Sequence, residues 1–480
     1  GTEGSSVTSF ELNTSSNVTA QTGTTLTFNS TLTGGQNSAL GVNAGGVLRG
    51  NSVRNTVLGA NAGKALRSGK YNVIIGSTAC NDLLDGNSHV IIGDEAGFEM
   101  TNTKNCVLVG KGSGKNTNGE EPNGLVAIGY ESAEANTDGR YNTELGFRAL
   151  EANTDGDSNT ALGYQALKTL APSSGAATCN TAVGQGAGQT VTTGINNTYI
   201  GQNSGQGATD GDSNTALGVG SLSADHGNAN TGVGKGALSA CTAQNNVGLG
   251  YNALLSSTVA TANVAVGTNA LDAEVEGSNN VAVGTNALSN QNAGGSDGSA
   301  NNIYNTAVGS SAGLYLSSGT HNTFVGGHAA LGISGTPLTG NANTAVGALA
   351  GYELEGTAHS NTFVGGSAGS TTEAGYENTC IGFETKAQDD TAHNQVVIGN
   401  NLTGTKDNAV FIGNDSSHIE NDFNTDATWN HSSDRRQKKD IKDDVLGLNF
   451  VNNLRTVTYK HKSPSEFPQE WDAYDPNDTK

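Results

Sequence analysis

A short phrase, Asn-Thr-Ala-Val-Gly and its close variants, returns along most of the chain and limits the fold more than any other feature. Its glycines run from Gly41 to Gly413 in 22 copies, and 12 of the 21 intervals are 17 residues. Self-similarity at a fixed period signals a repeat array. A 17-residue unit is too short for a pair of helices, and no apolar stripe at helical spacing accompanies it. Four residues before the glycine stands Asn in 17 of the 22 copies, the exceptions being His89, Cys106, Leu125, Gln395 and Ala409. The residue just before the glycine is Val, Ile or Leu (Leu40, Ile75, Val183, Val266, Ile381), and three residues after it comes a small side chain, usually Ala (Ala44, Ala62, Ala166, Ala253, Ala312).

Alternation around β-branched residues predicts a short strand with one face buried. The flanking Asn and Gly supply turn geometry, Gly where φ is positive and Asn by bonding nearby backbone. The fold class expected is all-β: a parallel β-solenoid or β-roll of about 22 coils, each of about two short strands and two turns. Coils stacked roughly 4.8 Å apart give a rod on the order of 100 Å long. Val, Ile and Leu of successive coils are expected to stack into a thin continuous core, with Asn side chains laddering at the corners. Stability is then a sum of neighbour contacts, because one coil cannot bury its own apolar face. The rod is expected over residues 37–417. Residues 1–36, with weak alternation at Ser9, Phe10, Glu11 and Leu12 and again at Leu26, Thr27 and Phe28, read as lead-in or cap strands.

Composition fits a rod: hydrophobic residues are 34% and aromatics 5%, too lean for one large round core. The net charge of −21 falls entirely on residues 1–432, which hold 14 basic and 35 acidic residues against nine and nine from Ser433 onward. An acidic rod argues against nucleic acid as a partner, since that needs a basic face. No apolar run is long enough to cross a membrane as a helix, so membrane insertion is not expected. The chain opens at Gly1 without a Met, and an upstream segment is expected. The five cysteines, Cys80, Cys106, Cys179, Cys241 and Cys380, lack metal-ligand spacing, and Cys106 and Cys380 lie within the repeat phrase as small buried hydrophobes.

Longer intervals mark surface insertions at residues 115–123, 169–179, 289–304 and 331–341, the last two being the expected receptor contacts. The acidic turns Asp155-Gly156-Asp157-Ser158-Asn159 and Asp210-Gly211-Asp212-Ser213-Asn214 offer carboxylates to calcium without the rest of a calcium-loop pattern, so plain acidic turns are the leading reading. No other cofactor is expected. Glycosidase chemistry needs two carboxylates at a defined separation. Glu144, Glu131 and Asp94 sit singly in the repeat, and no pair stands out. Threonines three before the glycine (Thr160, Thr181, Thr306, Thr362) suggest an ice-binding row, which Val and Ser interrupt, at a position open to facing inward.

After Gly413 the pattern decays. Residues 418–432 read as a connector and 433–480 as a short α+β segment. Asp434 with Gln437 fits a capping box, Leu448, Val451 and Leu454 follow at helical spacing, and Thr456 to Lys460 alternates as a strand. The run Ser433-Asp434-Arg435-Arg436-Gln437-Lys438-Lys439-Asp440-Ile441, then Leu446-Gly447-Leu448-Asn449-Phe450 and Thr458-Tyr459-Lys460, resembles the opening of the intramolecular-chaperone autoprotease domain of phage endosialidases and other tail fibres and spikes. By that resemblance the segment trimerises, guides threading of three β-rich chains and cuts itself off. Scission falls between Ser433 and Asp434, with Ser433 and Lys438 as catalytic residues. A serine hydroxyl needs a base, and a lysine whose pKa is lowered by burial supplies one. The plainer alternative is that Ser433 and Asp434 begin a helix.

The ladder is also similar to the head repeat of trimeric autotransporter adhesins, which reads Asn-Ser-Val-Ala-Ile-Gly; Asn72-Val73-Ile74-Ile75-Gly76 and Asn280-Val281-Ala282-Val283-Gly284 come close. That resemblance implies side-by-side or intertwined homotrimeric β-rolls. Together the resemblances imply a virion protein: a distal tail fibre, joined to other tail proteins upstream, that recognises a host-surface receptor of glycan type and is matured by its self-cleaving terminus. A bacterial trimeric surface adhesin is the alternative, and a polysaccharide-degrading tailspike a third reading.

Overall fold

The computed structural model describes residues 36–49, 51–118, 124–172, 177–292, 301–425, 460–471 and 473–478. Its centre is one sheet of 23 strands. Twenty-two of them, from Ser38–Leu40 to Ala409–Asn414, pair in parallel, each with its neighbour one repeat away. The register never slips: Thr198 faces Thr215, Tyr199 faces Ala216 and Ile200 faces Leu217, and so on along the array. These are the turns of a parallel β-solenoid with the period the glycines set. The expected end at 417 is extended, because Ser417–Asp422 folds back as an antiparallel strand on Ala409–Asn414 and closes the sheet.

Among the described residues each coil carries one main strand, usually of three residues, and a second, two-residue strand occurs at Gly277–Ser278 and Asn301–Asn302, which pair in parallel. The far wall is joined by turns and single-residue bridges, such as Val53 to Lys70 to Asn87 to Lys104. Between coils the turn backbone is hydrogen-bonded like a strand, as where Gly63 donates to Ala79 and Ala65 to Asn81. Residues two and four past the repeat glycine, and the residue five before it, adopt left-handed φ even where they are not glycine: Asn252, Leu254 and Asn245 are one set. These αL positions make the corners. The repeat glycine itself is confined twice over. Gly218 has φ +138°, and a Cβ there would lie 2.5 Å from the carbonyl oxygen of Gly234 in the next coil.

The strand's inner residue is the middle one, not the aliphatic before the glycine. In Thr215-Ala216-Leu217 the alanine is buried, the threonine half-buried and the leucine exposed. The core therefore consists of the middle strand residue, the small residue three past the glycine, and residues four and seven past it, such as Ala216, Ala237, Leu238 and Cys241. Volumes compensate across the lumen. Where Tyr199 fills the strand position, its neighbours are Gly188 and Gly205; where Gly232 leaves room, Leu222 fills it. This is close packing enforced coil by coil.

The asparagines lie inside the wall, not at an outer corner, and form a buried ladder. Asn246 Oδ1 accepts the backbone N–H of Asn263 at 3.0 Å; Asn263 Oδ1 accepts that of Asn280 at 2.9 Å; and Asn263 Nδ2 donates to the Gly277 carbonyl at 2.8 Å. One acceptor and one donor at this reach is what Asn offers and Asp or Leu does not. His89 imitates it: Nδ1 accepts the Cys106 N–H at 3.2 Å while Nε2 lies 3.0 Å from the Thr103 carbonyl. Burial pushes the His89 imidazole down to about 4, against those hydrogen bonds, so it is neutral. Cys106 thus takes a ladder place and not a strand place, while Cys380 is a middle strand residue. Both are buried with Cys80 and Cys241, and burial raises their thiols, Cys106 to about 11 and Cys380 to about 12, as expected of inert structural cysteines. Cys179 is exposed.

Residues 460–471 hold a single 3₁₀ turn, Pro464–Glu466, with Phe467 and Trp471 rings 5.6 Å apart. The helix and the chaperone phrase expected between 433 and 459 lie outside the described residues.

Candidate functional site

Three-residue strands have two outward positions, and in this chain both are apolar or nearly so. Across the 22 parallel strands the residue after the ladder position is Thr or Val, apart from Ser38, and the residue before the glycine is always Val, Leu or Ile. None of these 44 side chains is charged, in a chain with 67 charged residues in all. The pre-glycine residues are half-buried to exposed, and Leu145 and Leu217 reach 45% and Leu249 46%. The threonine row faces outward too, not inward, and runs in register through Thr143, Thr160, Thr181, Thr198, Thr215 and Thr231. A parallel sheet with one face in contact with water is unusual, since such sheets are ordinarily covered on both sides. The outcome is an uncharged aliphatic stripe, one strand wide, along the whole array.

Beside it, where the chain leaves the glycine, Tyr130, Phe147 and Tyr164 stack at 5.2 and 5.3 Å with planes 9° apart. Arg148 lies 5.3 Å over the Phe147 ring. Stacked on one another, these rings present edges, not faces, outward. His359, Tyr376 and His393 form a second stack at 5.1 and 5.0 Å, ended by a contact of His393 Nδ1 with the Asp407 carboxylate at 3.1 Å.

Charges gather on other walls of the coil. Among the described residues one trio, Glu131, Glu134 and Glu151, brings three carboxylates within 4.8 Å. The Arg148 guanidinium is 2.7 Å from Glu131 and 3.5 Å from Glu151, and Lys168 is 3.5 Å from Glu151. Burial pushes the Glu131 carboxyl up, but hydrogen bonds from Tyr130 and Arg148 outweigh it and hold it below the usual range. Burial and the two neighbouring carboxylates raise Glu134. Arg148 and Lys168 already pair with Glu131 and Glu151, so the cluster reads as an ion-pair ladder between coils with Glu134 beside it.

The sequence-derived candidates are dispersed. Ser433 and Lys438 lie outside the described residues. In the acidic turns, Asp155 accepts the Thr137 hydroxyl at 2.9 Å, Asp157 the Arg140 N–H at 2.7 Å and Asp212 the Ile195 N–H at 2.9 Å, each stitching one coil to the next; Asp210 is exposed. Of the carboxylates weighed for glycosidase chemistry, Asp94 pairs with Lys111 at 3.4 Å, Glu131 sits in the ion-pair ladder, and Glu144 is sealed in the core. The insertion at residues 331–341 is tied down by a bridge between Ile333 and Thr336 and by buried Leu338 pairing with Leu316. The outward stripe was missed by reading hydrophobic as buried; its signal was the complete absence of charge at two positions per coil.

Among the described residues no helix is long and apolar enough to cross a membrane. No protein-family model matches the chain, and a search of curated proteins finds no match.

Proposed function

We propose that this chain forms the rod of a homotrimeric host-attachment fibre of a phage virion, its copies packed side by side along the aliphatic stripe. The observation that carries the reading is that stripe: 44 outward positions without a charge, on a rod that is otherwise strongly acidic. Exposed apolar surface of this extent marks an interaction site. A cover must be as long and as regular as the stripe itself, and a parallel copy of the same chain meets both demands at a matching axial repeat. Closed symmetry then favours a ring of copies over an open pair of edges. Three copies, and the tail-fibre setting, come from the resemblances at the ladder and at Ser433 to Lys460. In this reading Ser433 is the nucleophile and Lys438 its base, cutting before Asp434 once the trimer has folded. The inserted loops, 289–304 and 331–341, face a host receptor of glycan type. A bacterial trimeric adhesin shares the rod and lacks the cleavage.

The test is native and denaturing mass spectrometry of the complete gene product, beside Ser433→Ala and beside the pair Leu217→Lys, Leu249→Lys. A trimer whose chains end at Ser433, left uncut by the alanine and dissociated by the lysines, supports every part. An uncut trimer that the lysines split points to the adhesin. A monomer unaffected by them removes the self-packing reading, and the threonine rows then make an ordered surface such as ice the occupant to assay.

A further inference from the structure

The core of the rod is not continuous. Buried apolar side chains form two clusters, one ending at Ala133 and the other beginning at Ala149. Glu144 lies between them. It is the middle residue of the strand Thr143–Leu145, and its register partners in the coils before and after are Ala127 and Ala161. It is fully buried; the Ser132 hydroxyl donates to Oε2 at 3.4 Å, and Oε1 has no hydrogen-bond partner. The opposite wall changes character over the same coils. Residues seven past the glycine, Leu66, Leu83 and Met100, give way to Thr117, Asn136 and Asn153 before Leu170 and Val191 resume the apolar row. The Thr117 hydroxyl is likewise buried without a partner, and Leu125 interrupts the asparagine ladder in the same place.

A buried carboxyl can be a harmless part of this architecture. Glu274, equally buried, accepts the N–H groups of Glu276 and Gly277 at 3.1 and 2.6 Å and the Gln291 amide at 2.7 Å. Glu144 has none of this support. Among the described residues no charged side chain faces it. Glu131 and Glu134 of the preceding coil, Arg148 and Glu151 of its own, and Lys168 and Asp157 of the next are half-buried or exposed on the outer walls. Alanine fits the same site one coil either way, so the lumen does not require a carboxyl.

We propose that Glu144 is a built-in breakpoint, at which the solenoid opens locally and separates into two cooperative blocks when the pH rises far enough to ionise the buried carboxyl. Burial alone, against one weak hydrogen bond from Ser132, pushes this carboxyl well above the ordinary range. A raised carboxyl in the folded state stabilises the fold fully below the unfolded value, near 4.3, and that contribution is lost as pH rises towards the folded value. Nearest-neighbour arrays divide where one interface is weak, so the loss is confined to the coils around Gly146.

Hydrogen exchange of the full chain, corrected for intrinsic rates, between about pH 5 and about pH 8 tests this. Protection of the amides from Val126 to Leu162 falls by up to about tenfold per pH unit within that window, as linkage to one proton requires, while coils around Ala216 and Ala265 hold theirs. Glu144→Ala abolishes the selective loss. Glu144→Gln, which cannot ionise but keeps the shape, does the same and serves if the alanine variant folds poorly. Uniform protection along the wild-type rod at both pH values overturns the proposal, as does a selective loss that persists in Glu144→Gln.

Discussion

Replacing Asn263 by alanine isolates what the ladder is worth. Asn263 is fully buried. Its Oδ1 accepts the Asn280 N–H at 2.9 Å and the Asn280 Nδ2 at 3.2 Å, and its Nδ2 donates to the Gly277 carbonyl at 2.8 Å. Alanine removes all three bonds and leaves a buried N–H and a buried carbonyl without these partners. Each such loss costs about 1–3 kcal/mol, so the variant is expected to lose about 2–6 kcal/mol. The damage falls on one interface between coils, and an array broken at one interface need not unfold as a unit. The suitable assay is therefore urea unfolding together with residue-level hydrogen exchange. Exchange should accelerate over roughly the coils from Gly250 to Gly309, with distant coils unchanged. Asn263→Gln is not expected to restore the ladder, since Gln395, in the same place further on, turns its Oε1 to the Gln388 N–H of its own coil at 3.1 Å and its Nε2 to Asp407 at 3.2 Å. Asn263→Asp is expected to be worse, because it points an anionic oxygen at the Gly277 carbonyl. A loss below about 1 kcal/mol for the alanine, less than one unsatisfied buried group costs, would refute the ladder as a structural spine.

Gly218→Ala should destabilise by more than about 3 kcal/mol, adding backbone strain to a clash with the Gly234 carbonyl. Gly220→Ala, at φ +63° with open space around it, should cost only about 1 kcal/mol; equal losses in thermal unfolding would contradict the close-approach argument. His89→Asn should flatten part of the acid dependence. His89 is neutral in the fold, with a pKa lowered to about 4 by burial, whereas the unfolded imidazole takes a proton near 6.5. Its stabilisation is therefore complete above about 6.5 and disappears as pH falls to about 4, a change of roughly 3 kcal/mol. The difference in urea midpoint between wild type and His89→Asn, followed across that window, reads it without interference from Glu144.

Much of this architecture was legible because the repeat states it 22 times. The strand position, the turn at Gly218 and its equivalents, and the parallel register follow from a phrase of fixed order, and the role of Asn as a ladder follows from its one donor and one acceptor. His89 as a stand-in for Asn was not legible, because only the ring's placement shows that both nitrogens are used. The pairing of Tyr199 with Gly188 and Gly205 joins residues of two neighbouring coils, a correlation no single repeat contains. The candidate site was the least legible part. Ser433 and Lys438 rest on a motif, whereas the stripe required knowing which side of a three-residue strand faces in.

That last choice separates what the sequence by itself determined from what the tertiary structure decided. Period, strand and glycine turns are local or repeating, so they are written in the chain. Hydrophobicity alone places Thr215 and Leu217 against each other only as a shared face, and would bury the leucine before the alanine between them. The closed coil reverses this. A 17-residue turn encloses a lumen narrow enough that one small or volume-matched side chain per strand fills it, with Leu222 and Leu238 approaching from the opposite wall. Ala216 is then inside and Leu217 outside. The same closure leaves a continuous aliphatic row in contact with solvent and places the unsupported Glu144 carboxyl in the interior. Both follow from how little space one coil encloses.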